Sequence, residues 1–267
     1  MTTMIDGKKI QAKIFAQIAP LLEGKKVSFV QFGNDPVSTK FVRIKSAAAE
    51  ALGMVVHKVH IIDHLTTEEA VAIVKKEAVG ANGIVVQLPL SDGLDQQIIL
   101  QAVPPALDID VLNPETITQF RNGATTKLPP VAGAIDTILK ECAINLAGKK
   151  VVLLGKGRLV GEPVSGLFDR NTISYSIFDK ESDENEMHAS IKEADVLISG
   201  IGVPGFVTAD MIKDGVILID AGTSEQNGKL KGDIDAGCYE KASYYTPVPG
   251  GVGPVAVATL FENLIKN

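Results

Sequence analysis

Short β-branched runs alternate with helical patterns along most of this chain, and that alternation limits its fold more than any other feature. "KVSFVQF" (26–32), "MVVHKVHI" (54–61) and "GIVVQL" (83–88) read as strands bounded by Gly, Asp, Asn and Pro. Between them, residues 38–52 and 67–79 carry Ala- and Glu-rich helical periodicity. A second series follows, with strands expected at 149–155, 172–178, 195–199 and 215–222 and helices at about 161–170, 184–193 and 207–213. Strands separated by helices pair in parallel, so the class is α/β, with helices covering both faces of each sheet. "FRNGATTKLPPVAG" (120–133) is rich in turn residues and lies between the two series, which places a domain boundary near it.

Composition removes several classes of function. The formal net charge is −6, and no block of Lys or Arg stands out, which argues against nucleic acid as a partner. No apolar run approaches the length of a membrane span, and the amino terminus lacks the charged-then-apolar pattern of a signal peptide. A cytoplasmic protein without a membrane partner is the expectation. Cys142 and Cys238 lie far apart with no CxxC spacing and read as free thiols. His57 and His60, three apart in an expected strand, point to opposite faces, so together with His64 they read as surface histidines and no metal site is expected.

The second series opens on "GKGRLVGEP", with Gly155, Gly157 and Gly161 between a strand and a helix start. Glycines there let a backbone approach a phosphate, and the N–H groups and dipole of the helix face the anion. The spacing is G-x-G-x-x-x-G, so position at the head of a βα series carries the reading more than the motif does. Asp179, 24 residues after Gly155, ends the next expected strand. A carboxylate there accepts from ribose hydroxyls and repels a 2′-phosphate, which favours NAD over NADP. Lys156 and Lys180 stand against that preference, because either can meet a phosphate.

In the first series, Lys45 follows Phe41 by one helical turn, Gln87 ends a strand, and Asp108 and Asp110 lie in "LDIDVLNP". Ligands of such sheets bind beyond the carboxyl ends of the strands, where these residues can converge. With "QLPL", "DID" before "NP", "VGEP", "ADVLISGIGVPGF", "GVILIDAG" and "TPVPGGVGP" in that order, the chain resembles the bifunctional methylenetetrahydrofolate dehydrogenase/methenyltetrahydrofolate cyclohydrolase family from about residue 4 to 265.

The resemblance implies two α/β domains, the second a Rossmann-type dinucleotide-binding domain, with the carboxyl-terminal helix returning to the first. Residues 1–125 with 251–267 would form the catalytic folate-binding domain and 126–250 the NAD(P)-binding domain, with the active site in the cleft between them. "TPVPGGVGP" would be the crossing, its glycines allowing close approach and its prolines holding it rigid. The implied activity is oxidation of 5,10-methylenetetrahydrofolate with NAD or NADP, then hydrolysis to 10-formyltetrahydrofolate. Tetrahydrofolate is then the carrier, and a homodimer the implied assembly. Lys45 would be the catalytic group, Gln87 its hydrogen-bonding partner and Asp110 the holder of the pterin. Phe41, Pro249, Gly250 and Gly251 would contact the folate, and Gly155, Lys156, Gly157, Val160, Gly161, Asp179, Gly200 and Gly222 the nucleotide.

Departures from the family pattern cluster at the ligand contacts. Phe41 stands where tyrosine is usual, Val111 where glycine is usual, Ala256 where threonine is common, and "IFDKES" replaces a His-Ser-Lys-Thr-like segment. The family's "PCTP" segment is reduced to "LPPVAG" around Pro129 and Pro130. They leave open a non-catalytic folate- or nucleotide-binding relative, a dehydrogenase without efficient hydrolysis, or a modified pterin carrier. The F-x-x-x-K of Phe41 and Lys45 is similar to the Y-x-x-x-K of short-chain dehydrogenases, but the phenol that chemistry needs is absent.

Overall fold

The computed structural model describes residues 2–226 and 229–266 of the chain. In chain order its elements are β1 (Thr3–Met4), α1 (Gly7–Leu22), β2 (Lys26–Phe32), α2 (Pro36–Ala51), β3 (Val55–Ile61), α3 (Thr67–Ala78) and β4 (Gly83–Gln87). Then come α4 (Gln96–Gln101), α5 (Pro114–Arg121), α6 (Pro130–Glu141), β5 (Val151–Leu154), α7 (Gly161–Arg170), β6 (Ser176–Phe178) and α8 (Glu184–Glu193). The chain continues through β7 (Val196–Ser199), β8 (Ile217–Asp220), β9 (Ser224–Gln226), β10 (Lys229–Lys231), β11 (Tyr244–Tyr245) and α9 (Val252–Glu262). Two compact units form: Lys13–Pro130 with Val257–Asn267, and Met1–Ala12 with Val131–Ala256.

The first of these units is built on a parallel sheet of order β3-β2-β4. Six of the seven residues of the central strand β2 are buried, since helices cover both of its faces, and so are all five of β4, on whose outer side the Ile84 N–H donates to the Leu107 carbonyl at 2.8 Å. β3 pairs only with β2 and alternates between exposed and half-buried, as an edge strand does. Its core joins Val30, Phe32, Ile84 and Val86 of the strands to Ala70 and Val74 of α3 and Ile99 and Leu100 of α4. The carboxyl-terminal segment closes the unit. Phe261 of α9 meets Phe15 of α1 edge-on with ring centroids 6.3 Å apart. Buried Asn263 donates to the carbonyls of Ile109 and Leu128, each at 2.8 Å, and accepts from the Leu128 N–H at 3.1 Å.

The other unit carries a six-stranded sheet, β1-β11-β8-β7-β5-β6, parallel throughout. The chain leaves β5 for β6 on one side and then returns past it to β7 on the other. That reversal is the switch point at which doubly wound, Rossmann-type sheets bind ligands. Leu154, Leu197 and Leu218 of the sheet pack with Met187 and Ile191 of α8.

Two expectations are corrected here. The strand expected at 172–178 is confined to 176–178, since Thr172 takes a left-handed backbone (φ 56°) and Thr172 and Ile173 donate back to the Asp169 and Phe168 carbonyls. Helix α7 closes on those residues before extension begins. No helix forms at 207–213. Val207 bridges Ile234, Lys192 takes the Asp210 carbonyl, and Lys241 takes the Ala209 carbonyl at 2.8 Å. The Asp235 N–H also takes the Val207 carbonyl at 2.9 Å, so the Val207 and Ala209 carbonyls, which the helical ladder would need, are used by groups far along the chain.

Asp220, at the end of β8, ties three segments together. Its carboxylate accepts the N–H groups of Gly222 (2.9 Å), Asp233 (3.2 Å) and Ile234 (2.9 Å), and its own N–H donates to the Thr246 hydroxyl at 2.7 Å. Burial, reinforced by neighbouring Asp233 and opposed by those donors, pushes its pKa from the ordinary 3.8 up to about 6. A group whose pKa rises on folding stabilises the fold below its unfolded value and loses that contribution as pH climbs through its folded one. Unfolding free energy should therefore fall by up to about 3 kcal/mol between pH 4 and pH 7 through Asp220. In Asp220→Asn that component of the slope should vanish in urea titrations across this range. An unchanged slope would show that Asp220 does not titrate as stated.

Candidate functional site

Lys45 lies on α2, which starts where Asp35 accepts the Ser38 N–H at 2.7 Å and Pro36 takes the first helical turn. Hydrogen bonds from the Ser38 backbone and hydroxyl hold the Asp35 carboxyl below its ordinary range. Ser38, Val42, Ser46 and Ala49 form the buried stripe of this helix, leaving Phe41 and Lys45 on its half-buried flank, one turn apart. Gln87 is the last residue of β4 and 7% exposed. Its Nε2 donates to the Leu88 carbonyl at 2.7 Å, which turns Oε1 outward. That oxygen lies 3.3 Å from Lys45 Nζ, and Asp110 Oδ2 lies 3.1 Å from the same nitrogen. Side-chain exposures of 17% for Lys45 and 14% for Asp110 make this a partly desolvated ion pair. One cationic nitrogen is thus held by an amide oxygen and a carboxylate at the carboxyl end of a parallel strand.

The loop bearing Asp110 is anchored by residues whose roles only the structure separates. Asp108, two residues earlier, is 3% exposed, and its Oδ2 accepts the Asn113 N–H at 2.8 Å. Burial pushes its carboxyl above the ordinary range against the pull of that N–H. Asp108 therefore shapes the loop while Asp110 faces Lys45. Val111, between them and the α5 cap at Asn113, is buried and holds a left-handed backbone with φ 56°. Buried Lys127 donates to the carbonyls of Pro105 and Ala106 at 2.9 and 2.8 Å, and Asn263 holds the Ile109 carbonyl. Helical periodicity and strand ends find Lys45 and Gln87; Lys127 and Asn263 have no sequence signal of this kind.

In the second unit, the glycine turn connects β5 to α7 at the switch point. Gly155 takes φ 99°, and a Cβ there would lie 2.9 Å from the Gly200 carbonyl oxygen. A Cβ on Gly161 would stand 1.9 Å from the Gly155 oxygen, and one on Gly200 would sit 2.3 Å from Val160 Cγ1. These three glycines are demanded by protein packing. Gly157 is different, since a Cβ there would meet nothing within 4 Å. Helix α7 begins after Val160 with no side-chain cap on its amino end. The Gly157 carbonyl accepts the Val160 and Glu162 N–H groups at 3.3 and 3.1 Å, and the open side of this glycine, beside a helix start that no side chain caps, fits a phosphate approaching the backbone.

Asp179 follows β6, its carboxylate 3.2 Å from Lys156 Nζ. Gly222 is packed against Asp233, whose carboxyl carbon would lie 2.2 Å from an added Cβ. Asp233 itself accepts from the Ser199 hydroxyl and the Ile201 N–H, each at 2.8 Å. Pro249, Gly250 and Gly251 lie in the same unit as the glycine turn. Gly250 (φ 113°) accepts the Gly7 N–H at 2.9 Å, and Gly251 donates to the Pro247 carbonyl at 2.8 Å. The His57 and His60 rings meet the Glu77 carboxylate and the Gly33 carbonyl respectively. Among the described residues, no group of three or more His, Cys, Asp or Glu is placed to hold a metal, and no helix is long and apolar enough to cross a membrane.

Residues 5–110 match the model of the tetrahydrofolate dehydrogenase/cyclohydrolase catalytic domain, and residues 129–267 match that of the corresponding NAD(P)-binding domain. A Bacillus licheniformis protein named bifunctional protein FolD is 36% identical over 278 residues, spanning 99% of this chain and 96% of its own length. The crystal structure of the bifunctional FolD methylenetetrahydrofolate dehydrogenase/cyclohydrolase from Campylobacter jejuni superposes with a TM-score of 0.93 at 29% identity, covering 99% of this chain and 98% of that one. The Trypanosoma brucei FolD enzyme, solved with NADP and an inhibitor, gives 0.92 at 28% identity, with 99% and 96% covered.

The packing of the glycine turn separates two substitutions. Gly161→Ala should destabilise the protein by about 1–3 kcal/mol or more, because backbone must move to admit the methyl. Gly157→Ala should change stability by less than about 0.5 kcal/mol. Thermal unfolding of both variants checks this, and equal losses would contradict the assigned packing.

Proposed function

The chain belongs to the tetrahydrofolate dehydrogenase/cyclohydrolase family, and from that premise we propose that Lys45, Gln87 and Asp110 carry its folate chemistry. The protein oxidises 5,10-methylenetetrahydrofolate to the methenyl form with a nicotinamide nucleotide, then hydrolyses that product to 10-formyltetrahydrofolate, within one-carbon metabolism. The observation that carries the residue assignment is the shared contact of Lys45 Nζ with Gln87 Oε1 and Asp110 Oδ2.

The nucleotide, when bound, supplies the hydride acceptor. The chain's own residues position the folate and handle protons. Water adding to the methenyl carbon must lose a proton; the neutral form of an amine at a fixed position can take it, and the ammonium that results is the form Gln87 and Asp110 hold. Gln87, oriented by its bond to the Leu88 carbonyl, holds Nζ in place, and Asp110 balances charge on it. A carboxylate is also suited to the adjacent N–H donors of a pterin. Phe41, one turn from Lys45, offers an aromatic face to the substrate's aminobenzoyl ring without the hydroxyl a tyrosine would add.

On the nucleotide side, Gly157 and the start of α7 would hold the pyrophosphate, with Gly155, Val160, Gly161 and Gly200 shaping the turn. Gly222 belongs to the same region through its packing on Asp233. Asp179 at the end of β6 supports a preference for NAD over NADP, as a carboxylate accepts from the ribose hydroxyls. The resemblance supports folate contacts at Pro249, Gly250 and Gly251, a homodimer and a cytoplasmic setting as parts of the same reading.

Replacing Lys45 by Met keeps the helix and removes the amine. Methenyl hydrolysis should fall by about 10²- to 10⁴-fold, the usual range for a general acid–base group. Thermal unfolding should change little. Decay of methenyl absorbance reports the rate, and hydrolysis at the unaltered rate in a folded Lys45→Met protein would remove the role given to Lys45.

A further inference from the structure

We propose that the Lys156–Asp179 ion pair, and not the carboxylate alone, sets the nicotinamide preference, by withholding Lys156 from a 2′-phosphate. The inference rests on the nucleotide-site reading above and deepens it. Gly155 N–H donates to the Phe178 carbonyl at 2.7 Å, which fixes the register in which adjacent strands β5 and β6 end. The next residue on each strand is then a partner of the other: Lys156 Nζ stands 3.2 Å from Asp179 Oδ2.

Asp179 does not depend on the lysine for its position. Its Oδ1 accepts the Glu181 N–H at 3.1 Å and the Ser182 hydroxyl at 3.0 Å. Its own N–H donates back to that Ser182 oxygen at 3.0 Å. Desolvation opposes the charge, yet the Glu181 N–H, Lys156 and Ser182 together hold the carboxyl below its ordinary range. The aspartate is thus a fixed anion and Lys156 the movable member, its side chain 48% exposed against 22% for Asp179. Two consequences follow for a nucleotide at this turn. A ribose bearing free hydroxyls finds an oriented acceptor whose charge Lys156 already balances. A 2′-phosphate meets the carboxylate's repulsion and has to draw Lys156 away from its partner. Asp179 therefore works against NADP twice, once directly and once by occupying the cation.

The two effects separate in a double-mutant cycle read by calorimetric titration with NAD, NADP and adenosine 2′,5′-bisphosphate. Both side chains lie at the surface, and unfolding temperatures check that each variant is folded. The unaltered protein should bind NAD more tightly than NADP. Asp179→Asn should tighten both 2′-phosphorylated ligands on the order of ten- to hundredfold, the scale of one charge-assisted hydrogen bond. Lys156→Met alone should shift their affinity by less than about threefold. In the Asp179→Asn background the same change should abolish most of the gain, whereas Lys180→Met should leave it standing. A gain that survives Lys156→Met, a gain lost on Lys180→Met, or a lysine effect equal in both backgrounds would overturn the proposal. A preference of the unaltered protein for NADP would do the same. Binding of neither nucleotide by the unaltered, folded protein would instead defeat the nucleotide-site reading itself.

Discussion

A parallel strand cannot be reached from its neighbour by a tight turn; the chain must cross back over the sheet, and a helix usually makes the crossing. That one constraint organises both compact units. It buries β2, β4, β5, β7 and β8, and it brings the carboxyl ends of the strands in each sheet to one edge. Side chains placed at strand ends or at the start of the following helices then gather without any sequence proximity. Lys45 and Gln87, 42 residues apart, meet for this reason, and so do Lys156 and Asp179.

Gathering residues at an edge is not enough to hold a charge in a defined place. The Lys45 contact is backed by buried groups that face away from it. Asp108 and Asn113 fold the loop bearing Asp110, while Lys127 and Asn263 occupy carbonyls of the same loop or its flanks. Buried polar groups cost stability unless paired, and each of these has its partners. The nucleotide turn solves the same problem with almost no side chains. Gly155, Gly161 and Gly200 let three backbone segments pack within distances that a Cβ would forbid, leaving Gly157 as the open position.

Much of this could be read from the residues, and what could not has identifiable causes. β2 over 26–32 and helix α7 at 161–170 follow from patterning, and α8 at 184–193 from patterning and a cap. The carboxylate of Asp183 accepting the Glu186 N–H, for example, starts α8 where its periodicity begins. The helix expected at 207–213 fails because the distant Asp235 N–H and Lys241 claim its Val207 and Ala209 carbonyls, and local periodicity carries no record of residues far along the chain. Within "DID", spacing does not say which aspartate is buried; the pairing of Asp108 with Asn113 does. Glycine positions were legible, but their reasons were not. Gly222 owes its missing side chain to Asp233, 11 residues on, and Gly157 owes its own to no protein neighbour within 4 Å. Val111 has a related lesson, since a β-branched residue sits there in a left-handed backbone that favours glycine.

The central claim is that one chain performs a dehydrogenation and a hydrolysis on the same carbon carrier. Absorbance of the methenyl intermediate, followed in the unaltered protein with methylenetetrahydrofolate and each nicotinamide nucleotide in turn, addresses it most directly. The account predicts reduction of the nucleotide and catalysed consumption of the methenyl species, with higher kcat/KM for NAD. Tight binding of folate and nucleotide with neither product appearing would contradict it.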